Sequence, residues 1–340
     1  MDSGPTLQNY APEIEEKLIS VISKLLEATA QISQKLKAGI SHEVAGTQNR
    51  FGDNQLEVDI ATDRIVFDRL KESGAVSIAS SEETPEENDL GGEGYSVGFD
   101  PLDGSSIIDA NFSVGSIFGV WPGKGLQGRT GREQVASVVT QYGPRTTAAI
   151  ALAPTVTGGE GKAFEVTINA EGNGFVVSKE AIQIKSAGKV FAPGNLRATS
   201  DNPKYSDLVQ FWIRERYTLR YTGGMVPDVY HILMKSKGVF ANVSSPTAIA
   251  KLRLLYECAP IGLLVECAGG ASCVAPPPSA TAVEPAEKRA RNEEEDEEQI
   301  EQASPTPMSI LDVPIDDLDK RCGVCYGSVD EVEHFKRFMF

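Results

Sequence analysis

The segment GFDPLDGSS, residues 98–106, constrains the fold of this chain more than any other stretch. It lies between two apolar, β-branched runs, residues 76–79 and 114–121, and both runs have the pattern of buried strands. The segment must therefore bend sharply at a strand end and hold Asp100 and Asp103 close together at its rim. Because crowded carboxylates repel each other unless a cation compensates them, the segment predicts a site for divalent metal ions.

Composition excludes several classes of protein. The 340 residues and the 41% hydrophobic content allow one large or two ordinary domains with a substantial core. The formal net charge of −16 disfavours nucleic-acid binding, because a phosphate backbone needs a basic surface. No apolar run approaches the roughly 18 residues of a membrane span. The five cysteines are an odd number, which argues against a secreted disulfide framework, and we expect a cytoplasmic protein.

Helical and strand patterns alternate along the chain. Apolar residues recur at helical spacing in segments that predict helices at residues 12–37, 59–71, 207–217, 226–235 and 330–338. β-branched runs predict strands at residues 146–152, 239–243 and 252–256, and a hairpin at residues 164–177. This alternation is typical of an α/β fold.

Residues 271–306 interrupt the alternation. They contain three consecutive prolines and the acidic run 293–298. Such a composition cannot bury enough apolar surface to fold, so we predict a disordered acidic insertion at about residues 272–306.

Carboxylates recur at predicted strand and helix edges in the first third of the chain, at Asp53, Asp59, Glu82, Glu83, Asp100 and Asp103. Oxygen ligands at this density suit Mg²⁺ or Mn²⁺, which could clamp a phosphoryl group and lower the pKa of an attacking water. The ordinary alternative for each acid is a solvated surface charge. Asp100 and Asp103 differ because residues 104–106 follow them, and the N–H groups and hydroxyls of a Gly-Ser-Ser segment can cradle phosphate.

Three separated motifs carry a family resemblance: SEE at residues 81–83, FDPLDGSS at residues 99–106 and KLRLLYE at residues 251–257. In this order they resemble the fructose-1,6-bisphosphatase superfamily of Mg²⁺-dependent sugar bisphosphatases. Further segments resemble its sedoheptulose-bisphosphatase branch, at residues 106–109, 118–123, 142–147, 194–199 and 220–228. The resemblance implies a phosphoric monoester hydrolase with a layered αβαβα sandwich fold that forms a homo-oligomer, either a dimer or a tetramer.

The resemblance also implies roles for individual residues. The implied ligands of two or three Mg²⁺ ions, or alternatively Mn²⁺, are Glu82, Asp100, the Leu102 carbonyl, Asp103 and Glu257. The residues implied to orient and deprotonate the attacking water are Asp53, Asp59 and Glu83. Those implied to hold the leaving phosphate are Gly104, Ser105 and Arg253. Those implied to bind the far phosphate and the sugar are Asn195, Tyr221, Gly223, Met225 and Lys251, with Arg220 reaching into a neighbouring subunit.

On this resemblance we expect residues 1–190 to form a metal- and phosphate-binding half and residues 191–340 a sugar-phosphate-binding half. The expected reaction is hydrolysis of the 1-phosphate of sedoheptulose 1,7-bisphosphate, in the cytoplasm or alternatively in the plastid stroma. Fructose-1,6-bisphosphatase activity, alone or alongside, is the nearest alternative, because the two sugars differ by one hydroxymethylene unit. A catalytically silent scaffold that binds partners through the acidic insertion is an alternative of another class.

Several of these residues also have ordinary structural interpretations. Lys251 and Arg253 alternate along the predicted strand, so they are compatible with an exposed basic ladder. Tyr221 is compatible with a core aromatic residue, and Arg220 with an ordinary surface arginine. The motif CGVC at residues 322–325 is compatible with a thiol switch or with two small apolar side chains.

Overall fold

The computed structural model describes residues 7–10, 12, 14–39, 44–48, 54–169, 171, 174–278 and 306–340. The α-helices in these ranges are α1 (Leu7–Tyr10), α2 (Glu16–Lys37), α3 (Glu57–Glu72), α4 (Pro154–Thr157), α5 (Pro203–Arg214), α6 (Met225–Lys235), α7 (Ala259–Cys267) and α8 (Val329–Met339). The strands are β1 (Val44–Gln48), β2 (Asn54–Leu56), β3 (Val76–Ser81), β4 (Asn88–Asp89), β5 (Tyr95–Asp103), β6 (Val114–Pro122), β7 (Ala136–Tyr142), β8 (Thr146–Leu152), β9 (Lys162–Ile168), β10 (Phe175–Lys179), β11 (Val190–Gly194), β12 (Thr218–Leu219), β13 (Val239–Asn242), β14 (Ala271–Val274) and β15 (Val324–Gly327). A 3₁₀ helix, Ser105–Ala110, follows β5, and a π-helix, Leu254–Cys258, leads directly into α7.

Two large sheets form the frame of the molecule. The first has eight strands in the order β10-β9-β8-β7-β6-β5-β3-β4. The second has five strands in the order β12-β11-β13-β15-β14. In the first sheet β3 and β5 run parallel, with Ser81 paired to Phe99. The residues that follow this pair, Glu82 just after β3 and Asp100 within β5, therefore lie side by side, and the Glu82 N–H donates to the Phe99 carbonyl at 3.1 Å.

The helices and the two sheets form five layers, and buried side chains pack between these layers in three clusters. α2 and α3 cover the outer face of the first sheet, where Leu25 and Phe99 share one core. α6 and α7 fill the space between the two sheets, around Trp121 and Tyr326. α5 and α8 cover the outer face of the second sheet, around Trp212. This order of layers confirms the expected αβαβα sandwich.

The helices predicted from apolar spacing are present. The segments predicted at residues 12–37, 59–71 and 330–338 correspond to α2, α3 and α8. The predicted hairpin at residues 164–177 is formed by the antiparallel strands β9 and β10. Within the described part of the chain, no helix is both long enough and apolar enough to cross a membrane.

The strand predicted at residues 252–256 is wrong. Arg253 makes an isolated antiparallel bridge with Arg321, and the chain then enters the π-helix and α7. The apolar run that forms these helices is buried on all sides, and periodicity cannot distinguish such a helix from a buried strand. Pro260, in the first turn of α7, was the available signal, because a proline near a helix start removes no intrahelical hydrogen bond.

The sharp bend expected at residues 98–106 is also wrong in its form. β5 continues through Asp103, and its pairing with β6 slips between Asp100 and Asp103. This irregularity has the character of a β-bulge, which redirects side chains without ending the strand. The two aspartates therefore project from a bulge at the strand end.

The predicted insertion begins later than residue 272. The edge strand β14 (Ala271–Val274) pairs antiparallel with β15, and its residues Ser272 and Cys273 are buried because they complete the second sheet. Within the predicted insertion, residues 279–305 lie outside the described residues.

Removing residues 279–305 should leave the fold intact. The chain before and after this segment is fastened to one edge of the molecule, because the Val274 N–H donates to the Met308 carbonyl at 3.0 Å. The Ser272 and Ser309 hydroxyls also lie 3.0 Å apart. We expect a variant with residues 279–305 replaced by a short Gly-Ser linker to melt within about 2 °C of the full chain, as measured by circular dichroism.

A longer deletion that starts at Ala275 provides the control. Ala275 is buried, and its N–H donates to the Gly323 carbonyl at 2.9 Å. We expect this variant to melt at a clearly lower temperature than the shorter deletion. A large loss of stability in the shorter deletion would contradict the interpretation.

Candidate metal and phosphate site

Three carboxylates converge from three separate elements. Glu82 follows β3, Asp100 lies in β5 and Glu257 lies in the π-helix. Each offers an oxygen atom, and these atoms all lie within 4.8 Å of one another. The Leu102 N–H fixes the Asp100 side chain by donating to its Oδ1 at 2.8 Å. Three carboxylate oxygens at this spacing fit a hard divalent cation.

Burial makes this cluster electrostatically unfavourable without a cation. Asp100 is 6% exposed and Glu257 is 5% exposed. Burial and the neighbouring carboxylate of Glu82 raise the pKa of both groups well above their ordinary values. A cation among the three groups would offset both effects, so the chemistry of the cluster agrees with a metal site, and the individual ligands stay predictions.

Asp103 lies beside the cluster and is held by the N-terminus of α6. Its Oδ2 accepts the Val226 N–H at 2.6 Å, and its Oδ1 accepts the Met225 N–H at 3.3 Å. Burial raises the pKa of Asp103 to about 6, although these hydrogen bonds lower it. Gly115 permits the close approach of α6, because a Cβ there would lie 2.4 Å from Cγ1 of Val226.

Arg253 supplies positive charge to the cluster. Its Nη1 forms an ion pair with Glu82, and its Nε donates to Asp319 Oδ1 at 2.8 Å. Arg253 is 4% exposed, so the basic-ladder interpretation is wrong for this residue, whereas Lys251 is exposed. The sequence analysis missed Asp319, which holds the guanidinium through a different nitrogen from Glu82 and which no motif distinguished.

The π-helix brings Arg253 and Glu257 together. The N–H groups of Glu257 and Cys258 both donate to the Arg253 carbonyl, at 3.1 and 3.0 Å. In return, Glu257 Oε2 accepts the Arg253 N–H at 2.5 Å. π-helical turns are frequent at functional sites, and here the wide turn holds the acid Glu257 close to the backbone of the cationic Arg253.

Gly104 and Ser105 form the start of the 3₁₀ helix. Gly104 has a φ of +87°, in the left-handed region that favours glycine. Ser105 is the first residue of the helix, and the N–H groups of a first helical turn have no partner within the helix. The role of Gly104 and Ser105 in holding phosphate stays a prediction.

The predicted water-activating acids are described in part. Asp53 lies outside the described residues. Asp59 is buried in the first turn of α3, and Glu83 is half-buried directly after Glu82. Their catalytic roles stay predictions.

Asp63 is a buried acid that the sequence analysis did not single out. It lies one turn after Asp59 on α3, and its Oδ2 accepts the Thr84 hydroxyl at 2.9 Å. Burial raises its pKa to about 6, although hydrogen bonds from Ser81 and Thr84 lower it. The hydrogen bond ties the Asp59 face of α3 to the turn that carries Glu82. The spacing of four residues from Asp59 was the signal that could have found it.

Asp228 organises the loop that precedes α6. Its carboxylate accepts the N–H groups of Thr222 and Gly223, at 2.7 and 3.3 Å. Burial raises the pKa of Asp228 to about 6, although these hydrogen bonds lower it. The loop exposes Arg220 and Tyr221, which line a cavity of about 790 Å³. Tyr221 is therefore not a core aromatic residue.

Two other residues that were predicted to bind the sugar or its phosphate make contacts within the protein. Asn195 donates its side-chain amide to the carbonyls of Val243 and Ala248, both at 2.8 Å, so this amide supports the neighbouring loop. Met225 is buried in the core between the sheets and faces Asp103 through its backbone N–H. Their contacts with substrate stay predictions.

Comparisons with known proteins agree with this geometry. The chain matches the family described as fructose-1-6-bisphosphatase, with the N-terminal domain over residues 6–167 and the C-terminal domain over residues 184–292. The chloroplastic sedoheptulose-1,7-bisphosphatase of Chlamydomonas reinhardtii is 45% identical over 99% of this chain and 78% of its own length. A class 1 fructose-1,6-bisphosphatase of Pelobacter propionicus is 34% identical over 96% of this chain and 89% of its own length. A solved Toxoplasma gondii structure, provisionally described as a sedoheptulose-1,7-bisphosphatase, has a TM-score of 0.81 and 35% identity over 99% of both chains.

Because the pKa of Asp103 is raised, the stability of the metal-free protein should depend on pH. The folded state holds a proton on Asp103 up to about pH 6, whereas its ordinary pKa is 3.8. Between these values the folded state binds more protons than the unfolded chain, so stability falls as pH rises. We expect the melting temperature in EDTA to fall from pH 4 to pH 6, with a smaller fall for Asp103→Asn.

Asp109→Asn is the matched control for this measurement, because Asp109 is exposed on the adjacent 3₁₀ helix. This variant should follow the pH profile of the unmodified chain. An identical slope for Asp103→Asn and the unmodified chain would contradict the assignment of the proton to Asp103.

Proposed function

Because the chain belongs to the fructose-1,6-bisphosphatase family, we propose that it hydrolyses the 1-phosphate of sedoheptulose 1,7-bisphosphate to sedoheptulose 7-phosphate and phosphate. Membership makes the chain a phosphoric monoester hydrolase, as the resemblance implied. The observation that carries the proposal is the convergence of oxygen atoms of Glu82, Asp100 and Glu257, beside a buried Arg253 that is ion-paired with Glu82. Acids and an arginine at one point suit a metal-bound phosphate.

The proposed cofactor is Mg²⁺, in two or three ions, with Mn²⁺ as the alternative. Glu82, Asp100 and Glu257 would hold the metal, together with Asp103 and the Leu102 carbonyl. Bound metal supplies positive charge to the phosphoryl oxygens and lowers the pKa of the attacking water.

The chain's own residues position the reacting groups. Asp59 and Glu83, together with Asp53, orient the attacking water and accept its proton. Asp63 holds α3 against the turn that carries Glu83, so it acts as a positioning residue. In-line attack requires the water and the leaving oxygen to be fixed on opposite sides of phosphorus.

The leaving phosphate is held by Gly104, Ser105 and Arg253. If Glu82 bound a metal ion, the Nη1 of Arg253 could exchange that carboxylate for a phosphate oxygen. Asp319 keeps the guanidinium in place during this exchange, because it binds the separate Nε. Arginine is suited to this role because its planar fork matches phosphate geometry.

The far phosphate and the sugar are bound on the other side of the site. The residues proposed for this role are Asn195, Tyr221, Gly223, Met225 and Lys251, with Arg220 supplied by a neighbouring subunit of a dimer or tetramer. Asp228 positions this side by holding the loop before α6. The relative from Chlamydomonas reinhardtii is described as chloroplastic, which favours the plastid stroma over the cytoplasm as the location.

A phosphate-release assay with sedoheptulose 1,7-bisphosphate and fructose 1,6-bisphosphate, at several Mg²⁺ concentrations, tests the proposal. We expect turnover of both sugars with a higher kcat/KM for sedoheptulose 1,7-bisphosphate, because one hydroxymethylene unit changes affinity by about 1–3 kcal/mol. Much faster hydrolysis of the fructose sugar would overturn the substrate assignment. Turnover of neither sugar would favour the catalytically silent scaffold.

Asp100→Asn separates the metal-binding role from a structural role. An amide oxygen still accepts the Leu102 N–H. We expect turnover to fall by more than about 100-fold, because a neutral amide is a poor ligand for a hard cation. The metal-free variant should melt above the metal-free unmodified chain, because one of three crowded charges is gone.

The readouts are phosphate release, Mn²⁺ titration by calorimetry and melting in EDTA. Asp109→Asn, on the exposed side of the same region, is the control and should change none of them. Retained turnover and Mn²⁺ affinity in Asp100→Asn would refute the assignment of Asp100 as a ligand.

A further inference from the structure

The cavity of about 790 Å³ that Arg220 and Tyr221 line extends beyond their loop. It is a cleft between α6 and the strands β7, β8 and β9 of the first sheet. The α6 residues that line it recur every three or four positions and so form one face of the helix, at Pro227, Tyr230, His231, Met234 and Lys235. None of the three clustered carboxylates lines this cleft, so it is separate from the candidate metal site.

The sheet face at the bottom of the cleft changes from apolar to polar. Val139 and Ala149 belong to the core between the two sheets. Because side chains alternate along a strand, Gln141, Thr147 and Glu165 lie on the same face as these two residues. Thr147 and Glu165 are each 5% exposed. Buried polar side chains cost stability unless hydrogen bonds compensate them, so a polar floor under an open cleft indicates a role in binding.

The floor has one acceptor group that the protein satisfies and one that it does not. Glu165 Oε1 accepts the Tyr230 hydroxyl at 2.9 Å, and its Oε2 accepts the Ser178 hydroxyl at 2.7 Å. Gln141 Oε1 is buried and has no hydrogen-bond partner among the described residues. An unpaired buried carbonyl oxygen lowers stability, and a hydroxyl group of a bound molecule would remove that cost.

The rim of the cleft is basic, although the whole chain has a net charge of −16. The basic side chains come from the β7–β8 turn, the loop before α6 and α6 itself, at Arg145, Arg220, His231 and Lys235. Within the ranges that the structure describes, none of the four forms an ion pair with a carboxylate. The carboxylates of Glu165 and Asp228 also line the cleft, but they are held by hydroxyl and N–H groups of the protein.

The positive charges at the rim act on one another. Burial lowers the pKa of His231, and the neighbouring charges of Arg220 and Lys235 lower it further. A bound anion would stabilise these cations, because opposite charges attract more strongly in a cleft than in bulk water.

We propose that this cleft is a second ligand site, which binds a phosphorylated sugar with its phosphate at the basic rim and its hydroxyl groups on the polar floor. Arg145 and Lys235 bind the phosphate, because several cations suit a dianion better than a single carboxylate. Gln141 Oε1 accepts a sugar hydroxyl, and the Glu165 carboxylate has lone pairs left for another. The volume of about 790 Å³ is that of a small-molecule site.

The cleft adjoins the proposed substrate site without coinciding with it. Of the residues predicted to bind substrate, only Arg220 and Tyr221 line the cleft, whereas Asn195, Lys251 and Arg253 do not. A sugar phosphate that carries a single phosphate and is not a bisphosphatase substrate therefore serves as the probe.

Calorimetric titration of the full chain with glucose 6-phosphate, in EDTA so that no metal holds the phosphate, tests the site. We expect binding by the unmodified chain, weaker binding of inorganic phosphate and no binding of glucose at the same concentrations. The double variant Arg145→Gln/Lys235→Gln should bind glucose 6-phosphate about tenfold more weakly, because two charge-assisted contacts are lost. Unchanged affinity in this variant, or no binding by the unmodified chain, would overturn the proposal.

Lys71→Gln/Arg214→Gln is the matched control. It removes the same charge from two exposed residues that do not line the cleft. It should bind glucose 6-phosphate as the unmodified chain does. An equal loss of affinity in the two double variants would mean that net charge alone governs binding, and would count against the cleft.

Gln141→Met tests the polar floor separately from the rim. We expect its affinity for glucose 6-phosphate to be about fivefold weaker, because one hydrogen bond to the sugar is lost. Its affinity for inorganic phosphate, which has no sugar hydroxyl, should be unchanged. The melting temperature of the free protein should not fall, because Gln141 Oε1 has no partner to lose among the described residues. An unchanged affinity for glucose 6-phosphate would overturn the placement of the sugar on the floor.

A second copy of the chain is the competing occupant of the rim, because Arg220 is predicted to reach into a neighbouring subunit. Light scattering separates the two possibilities. The ligand site predicts the same molar mass for the unmodified chain and for Arg145→Gln/Lys235→Gln. A lower mass in this variant would assign the rim to a subunit interface and overturn the proposal. Neither calorimetry nor light scattering requires turnover, so their failure is distinguishable from failure of the proposed reaction.

Discussion

The candidate site depends on the repulsion among three buried carboxylates, which the surrounding fold must hold in place. Oxygens of Glu82, Asp100 and Glu257 lie within 4.8 Å of one another, where each ionised pair costs about 3 kcal/mol at the effective dielectric constant of a protein. Arg253 compensates only part of this charge, so the metal-free cluster keeps protons at pH values where exposed carboxylates have lost them. Without a cation the cluster therefore lowers the stability of the folded protein. A bound cation raises that stability.

Such a cluster persists only because rigid elements hold it from several directions. Glu82 and Asp100 lie side by side, at the end of β3 and within β5, whereas Glu257 comes from the π-helix between the sheets. The hydroxyls of Ser80 and Tyr256 lie 2.9 Å apart and fasten that helix to β3. The cluster thus takes carboxylates from both sides of the predicted division at residue 190. Neither part of the chain contains the whole site. That division itself stays a prediction.

The sequence predicts features that depend on local pattern and composition. The long amphipathic helices and the pair Asp100 and Asp103 are of this kind, because apolar spacing and a strand-end motif are visible in a single sequence. Apolar spacing did not predict helices at residues 254–267, because a run that is buried on every side does not alternate between apolar and polar faces, and Pro260 was the signal that remained. Asp63 was missed although its spacing of four residues from Asp59 was visible in the sequence. Asp319 was missed because its importance comes from a tertiary contact with Arg253. Tertiary contacts leave no local signature.

The two sides of the proposed substrate site are built differently, and this difference bears on specificity. On the 1-phosphate side Arg253 is 4% exposed and fixed by two carboxylates, so its position is rigid. On the far side Tyr221 is 46% exposed and Lys251 is exposed on a long side chain. Exposed charges bind weakly and adapt at low cost. A site with a rigid reacting end and an adaptable far end can accept sugars that differ by one hydroxymethylene unit. Discrimination between them then depends on the loop held by Asp228, not on the metal cluster.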